Sequence, residues 1–334
     1  MKRIIALFIA AVMTSAVILT GCGSNSQSSD AKKKTEKASE AVTEAVKKVA
    51  NNGDYKKVKY TVVDGEVNIT GVKAKGVKKL IVPSFINSKE VTRIDAGAFE
   101  NNTKLTEVEI MDGVTNIGAN AFKNCANLKK AVLPDSLTGI AGNAFESCVK
   151  LEDINLPKNL TSISQFAFAN CKSVKELNVP NGVTLINEFT FSGCDKLEKL
   201  TLSDDVTSIG GNAFENCSSL KEIKLPDSLF MLGGYSFMNC KKLEKIDFGK
   251  GVGDIGVRIF EGCESIKELS FPKNVTSIGN FTFHNCKALE KISFEGKVNS
   301  IGSNAFTGCK LTEVKLPSGC ETNAKAFDKG VKIS

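Results

Sequence analysis

The sequence predicts one elongated solenoid with a 23-residue period. It places short parallel strands on one face and turns or short helical segments on the other. Phe recurs at 99, 122, 145, 168, 191, 214, 237, 260, 283 and 306. Cys recurs at 125, 148, 171, 194, 217, 240, 263, 286 and 309 with the same step. An apolar run keeps constant spacing between them, as at Leu220, Ile223 and Leu225 and one period earlier at Leu197, Leu200 and Leu202. A fixed period of this length means stacked copies of one unit. It overrides the length of 334 residues, which alone would allow two domains.

The first segment is an address. Lys2 and Arg3 precede an apolar run over residues 4–19, the layout of a secretory signal spanning 1–21. The run closes on Leu19, Thr20, Gly21 and Cys22, which resembles the lipobox of bacterial lipoproteins. The resemblance implies cleavage before Cys22 and a diacylglyceryl group on that residue. The partner it implies is the membrane, with the chain on the extracytoplasmic face of the cell. Residues 22–57 read as a tether. Ser, Gly, Asn and Gln crowd residues 23–30, a composition that buries no core. Ala38, Ala41, Val42, Ala45, Val46 and Val49 then make a weak helical stripe among Lys and Glu. Fully extended, such a tether reaches roughly 100 Å.

Residues 58–98 read as an N-terminal cap and a degenerate first coil. Asp64-Gly65 between two alternating apolar runs predicts a tight hairpin. That hairpin would cover an edge otherwise left with unpaired backbone. Residues 99–310 form the solenoid proper. In each coil the Leu-x-x-Ile-x-Leu run has the alternation of a strand with one apolar side. Pro follows it at 134, 157, 180, 226, 272 and 317, where it can end the strand and block further pairing. Gly at 118, 210, 233, 256, 279 and 302 suits a tight bend. The Phe then points inside, and an Asn-Cys or Gly-Cys pair turns the chain toward the next strand. Residues 311–334 read as a C-terminal cap, because Phe327 follows Phe306 by 21 residues and Cys320 is off register. One coil cannot stand alone, since ordering 23 residues costs more than six buried apolar side chains return.

The unit resembles the BspA-like class of leucine-rich repeat, nearly literally at Leu220 to Pro226 and Ile209 to Cys217. The resemblance covers about residues 58–330. It implies the leucine-rich solenoid fold and a non-enzymatic surface or adhesion role. A scaffold family by itself identifies no ligand.

The residues speak against several chemistries. Residues 1–60 hold a surplus of six basic side chains, and the rest of the chain a surplus of one. A nucleic-acid binder needs a basic stripe to neutralise phosphates, and the repeat body has none. The cysteines lack Cys-x-x-Cys spacing and a single His accompanies them, so no metal site and no cofactor is expected. In a stack their Cβ vectors run parallel, which opposes disulfides and predicts buried free thiols. His284 has Glu261 and Thr307 as its counterparts one period away, so it occupies a variable slot with no catalytic partner set. Gly251, Gly253 and Gly256 match a dinucleotide fingerprint but fall at an ordinary bend of the repeat.

The strand rows carry a charge pattern. One row reads Lys129, Glu152, Lys175, Glu198, Lys221, Glu244, Lys267 and Glu290. The next reads Glu107, Lys130, Asp153, Glu176, Lys199, Glu222, Lys245, Glu268, Lys291 and Glu313, with one slip at 153 and 176. A parallel stack would set each Lys between two carboxylates and make a network that fixes register. Beside these charges lie Asn178, Thr201, Lys224, Asp247, Ser270 and Ser293. The candidate binding face is therefore Glu176, Asn178, Lys199, Thr201, Glu222 and Lys224, continuing through Lys245, Asp247, Glu268, Ser270, Lys291 and Ser293. The expected function is non-enzymatic binding of an extracellular protein or glycan by a lipid-anchored surface protein. The alternative is a structural spacer or envelope component without a specific ligand.

Overall fold

The computed structural model describes residues 53–74 and 76–334. The signal run, Cys22 and the tether as far as residue 52 lie outside the described residues. The rest is the expected solenoid, wound with two ladders of strands. The front ladder uses the Leu-x-x-Ile-x-Leu runs, for example Glu176–Asn178, Lys199–Thr201, Glu222–Lys224 and Lys245–Asp247. In each, the middle residue turns inward and its neighbours turn to solvent, as period-two alternation requires. Partners are 23 residues apart and parallel: Glu176 faces Lys199, and Glu222 faces Lys245.

The second ladder was not expected. Two-residue strands such as Leu185–Ile186, Ser208–Ile209 and Met231–Leu232 stack in parallel along a side face. The Phe-bearing segment between the ladders is made of turns, and no helix occurs among the described residues. Short helices are absent because the segment repeatedly needs left-handed backbone. Asn124, Asn170, Asn216, Asn239 and Asn285 have φ of 58–60°, the region Asn tolerates best after Gly. The bend glycines have another cause. Gly210 and Gly233 are not left-handed; an added Cβ would lie 2.7 and 2.5 Å from the backbone N of Glu188 and Gly211 in the preceding coil. Close coil-to-coil approach, rather than φ, selects Gly there.

The core is one continuous column. The ten Phe rings from Phe99 to Phe306 stack face to face, with centroids 4.9–5.5 Å apart. All ten are buried. The cysteines line a second column. Each Sγ–H from Cys125 to Cys309 donates to the carbonyl of the Phe 26 residues earlier, at 3.1–3.5 Å. The thiol therefore ties one coil to the one before it. All ten cysteines among the described residues are free. Burial pushes the Cys194 and Cys309 thiols up to about 12. Asn102, in the corresponding slot of the first full coil, turns its Oδ1 to the amides of Lys104 and Leu105 instead.

Both ends of the described stack follow from local chemistry. β1 (Val58–Val63) and β2 (Glu66–Val72) form the antiparallel hairpin, with Asp64 and Gly65 both left-handed. The hairpin begins the side ladder through β2, which pairs with Lys89–Ile94. The front ladder begins at Lys79–Val82, and Asp54 covers that edge. Its amide donates to the Ile81 carbonyl and its carboxylate accepts from the Ile81 amide, both at 2.8 Å. At the other end the Phe327 ring continues the column, 5.3 Å from Phe306 despite the shortened spacing. Lys332–Ile333 closes the front ladder against Glu313–Val314.

Candidate functional site

The front ladder is interrupted at regular places. Glu176–Asn178 pairs with Lys199–Thr201, Glu222–Lys224 with Lys245–Asp247, and Glu268–Phe271 with Lys291–Phe294. Between these two-coil blocks the strands do not pair. Each break precedes a coil that carries Pro180, Pro226, Pro272 or Pro317. The second coil of each complete block has Ser203, Gly249 or Glu295 at that position. Proline has no N–H to donate back to the preceding coil. Pro134 and Pro157 also end strands, yet those strands still pair over two or three residues. Proline thus marks the break without sufficing for it.

At the break between Lys199–Thr201 and Glu222–Lys224 the face opens into a cleft of about 420 Å³. Leu200, Leu202, Ile223 and Pro226 form its apolar floor. Lys199, Thr201, Asp204, Glu222, Lys224, Lys245 and Asp247 line its rim. The parallel pattern aims the Glu222 and Lys224 backbone groups at this gap, because Leu225 N already bonds Asp247 O in the coil above. No backbone hydrogen bond joins the two strands across the break among the described residues. The Lys221 ammonium does bridge it, donating to the Glu198 carboxylate at 3.0 Å. That bond and the Lys221 charge hold the Glu198 carboxyl below its ordinary pKa. The cleft therefore offers backbone donors and acceptors, an apolar floor, and three cations balanced by three carboxylates on the rim.

Six of the twelve sequence-predicted face residues meet in this cleft: Lys199, Thr201, Glu222, Lys224, Lys245 and Asp247. A shallower hollow at the next break is lined by Glu244, Lys245, Lys267 and Glu268 among others. Glu176, Asn178, Ser270, Lys291 and Ser293 lie in register on the same ladder but border neither opening. The sequence reading missed the floor. The alternation of Pro with Ser, Gly and Glu along one row was the signal that could have located it.

The expected charge network is instead a set of separate pairs. Among the described residues the two rows hold Lys130–Asp153 and Lys221–Glu198 between their own members, while Glu107 and Glu290 pair with Lys79 and Lys310 outside them. Long exposed side chains gain little from being fixed between two partners in water. The one like-charged neighbour pair, Asp153 and Glu176, falls at a ladder break. The Nδ1 of His284 lies 2.7 Å from the Thr307 hydroxyl, and its ring edge meets Phe281. Among the described residues no group of three or more His, Cys, Asp or Glu is placed to hold a metal ion.

The profile of the BspA type leucine rich repeat region matches in overlapping stretches, 92–221, 139–267 and 207–333. One solved structure shares the fold, and others are similar in sequence over most of the chain. A leucine rich cell surface protein from Faecalibacterium prausnitzii is 26% identical, with a TM-score of 0.61; the match covers 82% of this chain and 85% of that one. A leucine-rich repeat protein from Bacteroides ovatus is 22% identical over 83% of this chain and 98% of its own, at a TM-score of 0.36. The pneumococcal vaccine antigen PcpA is 17% identical over 83% and 91%, at 0.45. No curated protein matches the sequence.

Proposed function

The chain belongs to the BspA-type leucine-rich repeat family, and we propose that it is a lipid-anchored surface protein whose front-face cleft binds an extracellular protein or glycan without catalysis. The observation that carries this reading is the cleft between Lys199–Thr201 and Glu222–Lys224. An apolar floor, a balanced charged rim and backbone groups freed by the ladder break favour a neutral or zwitterionic ligand rich in hydrogen-bonding groups. Anchorage rests on the lipobox-like residues ending at Cys22. The Faecalibacterium relative is described as a cell surface protein, which supports the same placement.

Surface plasmon resonance of the intact chain against extracellular-matrix proteins and glycans tests the binding reading. Saturable capture of one ligand is expected, and it should be lost when Lys224→Glu is combined with Asp247→Lys. That exchange inverts two rim charges while keeping them opposite in register. Absence of saturable capture, or capture indifferent to the exchange, would leave the spacer role. The spacer role has one observation in its favour: no large aromatic side chain is exposed on the front strands. Anchorage is tested separately, since Cys22→Ser should move the chain out of the membrane fraction.

A further inference from the structure

We propose that the side-ladder face around Phe230 and Met231 is a self-association surface that takes a second copy of this chain. One outward row of this ladder keeps a single residue type over five successive coils. Thr115, Thr138, Thr161, Thr184 and Thr207 occupy one row. The hydroxyls of Thr115, Thr138, Thr161 and Thr207 each donate to a carbonyl of the preceding coil at 3.1–3.2 Å. In the next coil the Thr-Ser pair of 207 and 208 becomes Phe230 and Met231, and by Thr276 and Ser277 it has returned.

Phe230 is 67% exposed and Met231 55%, while Leu229 and Leu232 beside them fill the core. The substitution removes a coil-to-coil hydrogen bond and places a ring in water, so it serves neither packing nor the ladder. Leu185, Tyr235 and Val257 are exposed in the same four coils. Leu185, Ser208 and Met231 stand in one register line, and Tyr235 N donates to Val257 O. Tyr235 is held at φ 63°, a left-handed position that Asn fills at 120, 143, 212 and 304. Phe166, Phe189, Arg258 and Phe281 hold the same left-handed position, so what sets Tyr235 apart in this row is its exposed ring rather than its backbone.

The charge of the face selects the occupant. From Thr161 and Ser162 to Asn299 and Ser300, the outward pairs include one charged residue, Asp254. Its carboxylate accepts from Thr276 and Ser277 hydroxyls at 3.1 and 2.6 Å. Arg258, next to Val257, is held by Glu261 at 2.6 Å. A two-fold contact sets a face against its own copy, so an uncharged apolar face is self-compatible. These rows offer no free cation to an anionic surface. The patch also lies midway along the solenoid, so two antiparallel copies could overlap along most of their length.

Sedimentation equilibrium of the full chain in density-matched detergent tests this over a wide concentration range. A monomer–dimer equilibrium is expected. Phe230→Thr with Met231→Ser should weaken it by about tenfold or more. Those residues are the repeat's own, at 207 and 208, so the melting temperature should be retained. Val62→Thr, in the exposed hairpin, should leave the dimer unchanged. A chain that is monomeric throughout, or a dimer of equal strength in the doubly substituted chain, would overturn the proposal.

Discussion

From Phe122 to Phe306 each Phe of the column is buried and meets a ring above and a ring below at about 5 Å. Offset stacking of this kind adds to the burial of a large apolar side chain. Phe214 sits in mid-column, where neither neighbour can collapse into a vacancy without breaking its own stack. Phe214→Ala should therefore cost about 3–5 kcal/mol in a denaturant titration. A loss below ~1 kcal/mol would mean the rings do not share a column. The Phe and Cys positions were legible because a period fixes which residues fall in one row. Their inward direction was legible because a benzyl ring repeated in every coil is best buried against its own copies. The Cys-to-carbonyl bond was not, since it links residues 26 apart and depends on how far the chain advances within a coil. The left-handed aromatic positions were hidden for a related reason: Phe166, Phe189, Tyr235 and Phe281 share a row with Asn, and only the backbone shows the common φ.

At the scale of strands, the front ladder is one four-stranded block from Lys79 to Ile154 followed by two-coil blocks. The strand run was read correctly from Leu220, Ile223 and Leu225, and the partner register from the 23-residue step. Two-residue strands such as Met231–Leu232 escaped because two residues cannot display an alternation. The breaks were legible in part: Pro is expected to block pairing, but Pro134 and Pro157 do not, and only the row in which Pro alternates with Ser203, Gly249 and Glu295 separates the two cases. The surviving charge pairs give a direct test. Lys221→Glu with Glu222→Lys replaces the Lys221–Glu198 pair with two facing carboxylates. The melting temperature should fall, and fall less in high salt. The pH dependence follows from Glu198, whose carboxyl lies below its ordinary pKa because Lys221 bonds its charged form. A depressed carboxylate stabilises the fold above the unfolded glutamate range of about 4.3. That stabilisation fades as pH falls through the folded value. Glu198→Gln should flatten the melting curve in that acid window and leave its slope near neutrality unchanged. An unaltered acid slope would remove this pair from the account.

The described residues form a rod with two unlike long faces. One is charged, paired in blocks and opened by clefts; the other is a Ser and Thr surface with a single apolar interruption. Repeat architecture makes stability a sum of neighbour contacts, so a break in one ladder leaves the core column intact. That is why the front face can give up backbone pairing at Pro226 while Phe214, Phe237 and Phe260 stay stacked across it. Native-state hydrogen exchange at single-residue resolution measures this division directly. Amides paired within a block, such as Val179 and Leu225, should exchange slowly, since they donate to Thr201 and Asp247 carbonyls at 2.9 and 2.8 Å. The amides of Glu222 and Lys224, facing the cleft, should exchange orders of magnitude faster, through local rather than global opening. Uniform protection from Lys199 to Asp247 would contradict the paired-coil account and close the proposed site with it.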